Sequence, residues 1–130
     1  MFGAFFILIN YYFAYMGTFV ISKRFNEAYK FEFTSRKGKT IFTSNNYELK
    51  FECEEDIEII KTAIAELQFL KFKSSRGKFF FKILLKEKAV AISRKYSTEL
   101  MLQKGINEIV KYASVAEILD FSSRDEIFQD

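Results

Sequence analysis

The sequence predicts an α+β protein in which a single antiparallel sheet carries two helices packed on one face. Three observations lead there. Segments rich in Phe and β-branched residues alternate apolar and polar side chains with a period of two. Two other segments place apolar residues at steps of four and three, the spacing of one helical face. The order of segments is also written twice: SNNY (Ser44–Tyr47) returns as SRKY (Ser93–Tyr96), 49 residues later.

Thr18 to Phe25 reads as the first strand. Tyr29, Phe31 and Phe33 alternate with Lys30, Glu32 and Thr34 in the second, the SRKGK segment around Gly38 turns the chain, and TIFTS returns as the third. Cys53, Ile57, Ile60, Ile64 and Leu67 then line one face of a helix. Its early acids Glu52, Glu54, Glu55 and Asp56 suit the positive end of the helix dipole. A strand over Phe69 to Ser75 opens the second round. Phe79, Phe81, Ile83 and Leu85 alternate with Phe80, Lys82, Leu84 and Lys86, and LKEKA turns around Glu87 into Val90–Ser93. Leu102, Ile106, Ile109 and Ala113 form the second helical stripe, after Ser97 or Thr98 as the cap. Ala116 to Phe121 is a last short strand. Each round is thus three strands, a helix and a strand, with Phe69–Ser75 serving both. About fifty residues of this pattern leave the apolar face of a small sheet open, and two rounds side by side close one core. The expected division is an apolar extension over residues 1–15, a first unit over 16–67, a second over 68–121 and an acidic tail over 122–130.

Composition bounds the chemistry. The chain has 130 residues, 49% hydrophobic and 28% charged, enough for a sizeable core in a globular domain. It holds 17 Phe and no Trp, Pro or His. Aromatic side chains favour strands, and a chain without Pro keeps every backbone donor for ladders and helices. Without His there is no Ser-His-Asp triad, no Cys-His pair and no imidazole metal ligand. The single Cys cannot form an internal disulfide, and the spacing of Cys53 places it in the core.

The net charge of +3 is unevenly spread. Residues 16–67 hold 8 basic and 9 acidic side chains, residues 68–111 hold 11 and 3, and residues 112–130 hold 1 and 5. The middle segment therefore attracts anions while the rest does not. MFGAFFILINYYFAY, residues 1–15, is uncharged. It is short of the roughly 20 apolar residues that cross a membrane, and it lacks the basic start of a secretory signal. Three readings stay open: an extension from an upstream start codon with Met16 the working start, a membrane anchor, or an apolar arm packed on the domain or on another subunit.

These segments together, FEF…RKGKTIFTSNNY…CEEDIEIIK and FFFKI…AVAISRKY…LQKGINEIVK, resemble the YegP-like tandem-repeat proteins of bacteria, a domain of unknown function. The resemblance covers roughly Met16 to Phe121. It rests on Phe31, Phe33, Gly38, Ile41, Ser44, Tyr47, Ile57 and Ile60, then on Phe81, Ser93, Tyr96, Gly105, Ile106 and Ile109. It implies a β3-α-β unit used twice, with the two units exchanging their last strands in a single sheet. The chain departs from the pattern in having Glu87 at the second turn and Asp56 where the second helix has Gly105. The family carries no established activity.

Each candidate site in the sequence also has a plainer role. KFKSSRGKFFFK, Lys71 to Lys82, interleaves basic and aromatic residues as nucleic-acid-binding sheets do, and names Lys71, Lys73, Arg76, Lys78 and Lys82 as candidate anion contacts. RGKFFFK resembles an RNA-recognition strand, but its third place is Lys and the βαββαβ order is absent. The plainer reading is a two-sided strand, Phe buried under the helices and Lys in water. Ser44 and Ser93 read as strand ends satisfying local backbone, with Tyr47 and Tyr96 sealing the core edge, hydroxyls in water. Glu52 to Glu58 lacks the glycine and ligand spacing of a calcium loop. The sequence thus predicts no catalytic residues, no metal, no cofactor and no enzymatic activity. It predicts a small cytoplasmic binding or interaction module, with nucleic-acid binding through the basic second unit as the alternative. Self-association and nucleic acid are the partners left open, with a membrane only if residues 1–15 are an anchor.

Overall fold

The computed structural model describes residues 17–123, so the readings made for residues 1–15, for Met16 as start and for most of the acidic tail lie outside the described residues. Seven strands and two helices follow in the order β1 (Thr18–Lys23), β2 (Tyr29–Thr34), β3 (Thr40–Ser44), α1 (Lys50–Thr62), β4 (Gln68–Lys73), β5 (Phe79–Leu85), β6 (Lys88–Ser93), α2 (Glu99–Tyr112) and β7 (Glu117–Asp120). One sheet holds all seven, in the order β4-β5-β6-β3-β2-β1-β7.

The two runs of three strands are hairpin meanders, β1-β2-β3 and β4-β5-β6. Gly38 and Gly77 supply the positive φ at the fourth loop position of β2–β3 and β4–β5, which non-Gly side chains adopt at a cost. The β5–β6 turn is tighter. Only Lys86 and Glu87 separate the strands, both at positive φ, so Glu87 holds a conformation that glycine holds elsewhere. The meanders meet edge to edge where β3 pairs antiparallel with β6, Phe42 opposite Ser93 and Ser44 opposite Ala91. Two amide bonds extend this seam, Asn45 N–H to Val90 O at 3.0 Å and Arg94 N–H to Ile41 O at 2.9 Å.

The sheet is mixed, not antiparallel throughout as the sequence suggested. β7 lies beside β1 and runs parallel to it, Thr18 opposite Glu117 and Ile21 opposite Asp120. A hairpin forces an antiparallel neighbour, but β7 arrives from α2 through a crossover, and a crossover permits a parallel one. Two contacts from α1 hold β7 there: Lys50 forms an ion pair with Asp120, and the Lys61 ammonium donates to Ala116 O at 2.8 Å.

Register assigns the faces. The row Ile118, Phe19, Phe33, Phe42, Ser93 lies on one side, and the row Leu119, Val20, Glu32, Thr43, Ile92, Lys82, Leu70 on the other. The first side is the core. Phe19, Phe31, Phe33, Phe42 and Phe81 are fully buried there with Cys53, Ile57 and Ile60 of α1 and Leu102, Ile106 and Ile109 of α2. Four rings of the first meander and that of Tyr47 beyond it interlock at centroid spacings of 5.1–6.3 Å, in stacked, tilted and edge-on arrangements that add to simple burial. The α1 stripe is shorter than its spacing implied. The helix ends at Thr62, Ile64 lies in a 3-10 turn, and Leu67 is buried beyond it. Ala113 likewise sits in a 3-10 turn packed against both helices. Thr98 caps α2, its hydroxyl accepting the Met101 amide at 3.1 Å. At α1 the capping residue is Leu49, which has no acceptor, and the Glu52 carboxylate instead receives the Leu49 amide at 3.1 Å.

Ser44 and Ser93 are buried at the strand ends. The Ser44 hydroxyl accepts the Phe31 amide at 2.8 Å and donates to Asn45 O, and the Ser93 hydroxyl accepts the Phe81 amide at 2.9 Å and donates to Arg94 O. Replacing either serine with Ala orphans a buried amide and is expected to cost about 1–3 kcal/mol in urea unfolding; unchanged stability for both variants contradicts this role. Burial raises the Asp120 and Glu32 carboxyls, but Lys50 and Ser122 around the first, and Lys30 and Thr40 around the second, bring each below its ordinary value of 3.8 or 4.5. Groups with depressed folded pKa stabilise fully above the unfolded value and lose that contribution as pH falls through the folded one. Thermal stability is therefore expected to hold down to about pH 4.5 and to fall below it, with a shallower fall in Asp120→Asn.

Candidate functional site: a basic groove across the seam

The β2–β3 turn, the segment after β6 and the exposed side of α2 enclose a groove of about 440 Å³. Arg36, Lys37 and Lys39 come from the turn, Arg94 from the end of β6, and Lys104 and Lys111 from α2. Glu108 is the one carboxylate on the lining. Among the described residues none of the six cations is in an ion pair. Arg94 lies over the Tyr96 ring, 5.6 Å from its centroid, and Lys111 over Tyr112 at 5.2 Å. Cation–aromatic contact orients such side chains without neutralising them. The turn belongs to one meander and α2 to the other, so pairing of β3 with β6 assembles the groove.

Tyr96 forms the floor. Its backbone bridges Phe79, as the backbone of Tyr47 bridges Tyr29. Beyond that shared placement the two tyrosines differ. The Tyr47 hydroxyl donates to the Asp56 carboxylate at 2.6 Å, so it is not left in water as the sequence reading had it. Burial and that carboxylate both push the Tyr47 phenol far above its ordinary value. In α2 the corresponding place is Gly105, where a Cβ would fall on the Tyr96 hydroxyl. That hydroxyl has no acceptor among the described residues, although Tyr96 is only 8% exposed. Burial raises its phenol as well, with Arg94 opposing and Glu108 assisting, which keeps it a protonated donor at neutral pH.

The residues singled out in Lys71–Lys82 do not converge. Lys71 and Lys73 lie on the helix side of the edge strand β4, Lys71 donating to Gln103 at 2.7 Å and Lys73 resting over Phe79. Arg76 and Lys78 lie in the β4–β5 loop. Lys82 projects from the opposite, open face, over Phe72. The plainer reading of this stretch also fails in part. Phe72 and Phe80 stack on the open face at 5.3 Å, while Lys71 and Lys73 share the helix side. Of the remaining residues that carried the resemblance, Phe31, Phe33, Ile57, Ile60, Phe81, Ile106 and Ile109 are in the core and Gly38 is in the β2–β3 turn. Among the described residues no three acidic or thiol groups converge as metal ligands, and no helix is long and apolar enough to cross a membrane.

Cys53 is fully buried on α1, and burial with the neighbouring carboxylates pushes its thiol up to about 12 from an ordinary 9.0. The thiolate fraction falls about a thousandfold for three pH units, so a disulfide reagent is expected to label the native chain very slowly and the urea-unfolded chain fast. Rapid native labelling contradicts the core placement. Because only Tyr47 donates to a protein acceptor, Tyr47→Phe is expected to cost about 1 kcal/mol in urea unfolding and Tyr96→Phe close to nothing; equal losses refute the difference between them.

Compared with models of known protein families, the chain matches none. A UPF0339 protein of Photorhabdus laumondii is 24% identical over 112 residues, which span 85% of this chain and 98% of that protein. Among solved structures, the protein of unknown function yegP from E. coli superposes with a TM-score of 0.71 at 24% identity, covering 82% of this chain and 93% of its own. A UPF0339 protein from Shewanella oneidensis superposes with a TM-score of 0.77 at 22% identity, covering 88% and 99%. The resemblance to the YegP-like, UPF0339 family of unknown function therefore holds in sequence and in fold alike.

Proposed function

We propose that this chain is a non-enzymatic cytoplasmic binding module, built from two tandem units, that takes anionic ligands in the groove across its seam. The observation that carries the reading is the lining: six cations, none in an ion pair among the described residues, and one carboxylate around a space of about 440 Å³. That volume is in the range of small-ligand sites, and concentrated positive charge in a concave wall raises the local concentration of anions. On the lining the Ser35 hydroxyl accepts the backbone amides of Lys37 and Lys39 and, among the described residues, is bonded to no base, which supports binding without chemistry. The tandem reading is supported by the matched serine bonds, the matched tyrosine bridges and the register shifts after Phe33 in one meander and Ile83 in the other. A buried lone thiol is consistent with a reducing compartment.

One observation favours nucleic acid as a second reading. Phe72 and Phe80 stack on the open face with Lys82 above, an aromatic and basic surface of the type on which bases stack. A titration with mixed-sequence single-stranded DNA at low and moderate salt separates the two. The groove reading expects affinity to fall with salt at a log–log slope of about −2 to −3, as for three or four phosphate contacts. It also expects most affinity to vanish in Arg94→Gln/Lys104→Gln/Lys111→Gln. The second reading expects Phe72→Ala/Lys82→Gln to do that instead, and absence of low-salt binding removes both.

A further inference from the structure

The groove is finished differently from the corresponding place on α1, and the difference names a ligand. Near α1, Tyr47 has its acceptor in the protein, Asp56. Near α2, the acceptor is replaced by Gly105, which leaves room for the Tyr96 hydroxyl but offers it nothing to bond. Tyr96 is more than nine-tenths buried as a residue, but among the described residues no buried polar side-chain atom lacks a partner, so its hydroxyl opens onto the groove and is available to a ligand there. It stands on the floor of a groove ringed by cations, so the acceptor that suits it there carries negative charge.

We infer that the groove is a phosphate site, in which the Tyr96 hydroxyl donates to an oxygen of a phosphate monoester or of inorganic phosphate held by Arg94 and Lys104. This assignment rests on the anion-binding reading above and narrows it. A phosphate offers three acceptor oxygens and close to two charges at neutral pH, which matches one hydroxyl, a guanidinium fork and an ammonium better than a carboxylate does. The groove extends beyond those groups to Lys111 and Tyr112, leaving space for the organic part of an ester.

The test is an NMR titration of the full-length isotope-labelled chain with inorganic phosphate, adenosine 5′-monophosphate and acetate at low ionic strength. Phosphate and the ester are expected to shift the Gly105 amide and the Tyr96 side-chain Cζ while leaving the Tyr47 Cζ unmoved, and acetate is expected to bind at least about tenfold more weakly. Tighter binding of the ester identifies an esterified ligand and tighter binding of phosphate the free ion; either supports the site. Tyr96→Phe is expected to weaken phosphate binding about tenfold, the effect of one hydrogen bond to a charged group. If Arg94→Gln and Lys104→Gln weaken binding but Tyr96→Phe binds as the parent does, with no Tyr96 Cζ shift, the phosphate assignment through Tyr96 is overturned while the groove remains an anion site. If the Arg94 and Lys104 variants bind as the parent does, or nothing binds, both readings fall.

Discussion

Pairing of β3 with β6 is the contact on which the rest of the structure depends. Each meander alone is a three-stranded sheet with one greasy face and one helix, too little to bury rings as large as Phe31, Phe42 and Phe81. Joined at Phe42–Ser93 and Ser44–Ala91, the six strands present a continuous face, and both helices fill one core over it. The two buried serines stand at this junction. Each hydroxyl accepts an amide of the neighbouring strand and donates to the carbonyl of the next residue, Asn45 or Arg94, so β3 and β6 can end there without orphaned polar groups.

The same junction brings together parts of the chain that do not otherwise meet. The β2–β3 turn carries Arg36, Lys37 and Lys39, and α2 carries Lys104 and Lys111. Apart, these are ordinary solvated charges; facing one another across a groove they repel, and that repulsion is relieved by an anion. Similar backbone placement around Tyr47 and Tyr96 thus yields opposite electrostatics. On α1 a carboxylate closes the site from within, and on α2 a glycine leaves it open among cations.

Strands and helices were legible because their periods are carried by large side chains. Phe31 and Phe33 against Lys30 and Glu32, or Ile106 and Ile109 at helical steps, state which side is buried. Direction at the sheet edge was not legible. Nothing in EILD distinguishes a parallel from an antiparallel partner, and the outcome was decided by the crossover from α2 and by Lys50 and Lys61 reaching from α1. The faces of β4 were misread for a related reason. An edge strand is half exposed on both sides, so Lys71 tolerates the helix side and Phe72 the open side, and alternation loses its meaning. The groove was hidden by distance along the chain. Local charge density pointed to Lys71–Lys82, whereas the cations that converge are spread from Arg36 to Lys111. The clue in the sequence is Gly105 standing where α1 has Asp56, and the pairing of each position with its tyrosine is visible only in three dimensions.

The two meanders share one core, and neither persists without the other. Native-state hydrogen exchange measures this most directly. The amides of Phe31 and Phe81, each bonded to a buried serine on either side of the seam, should exchange only through global unfolding, with one free energy equal to that from urea denaturation. If one of them exchanges through a distinctly cheaper opening while the other stays protected, the meanders are separate cooperative units and the shared-core account is wrong.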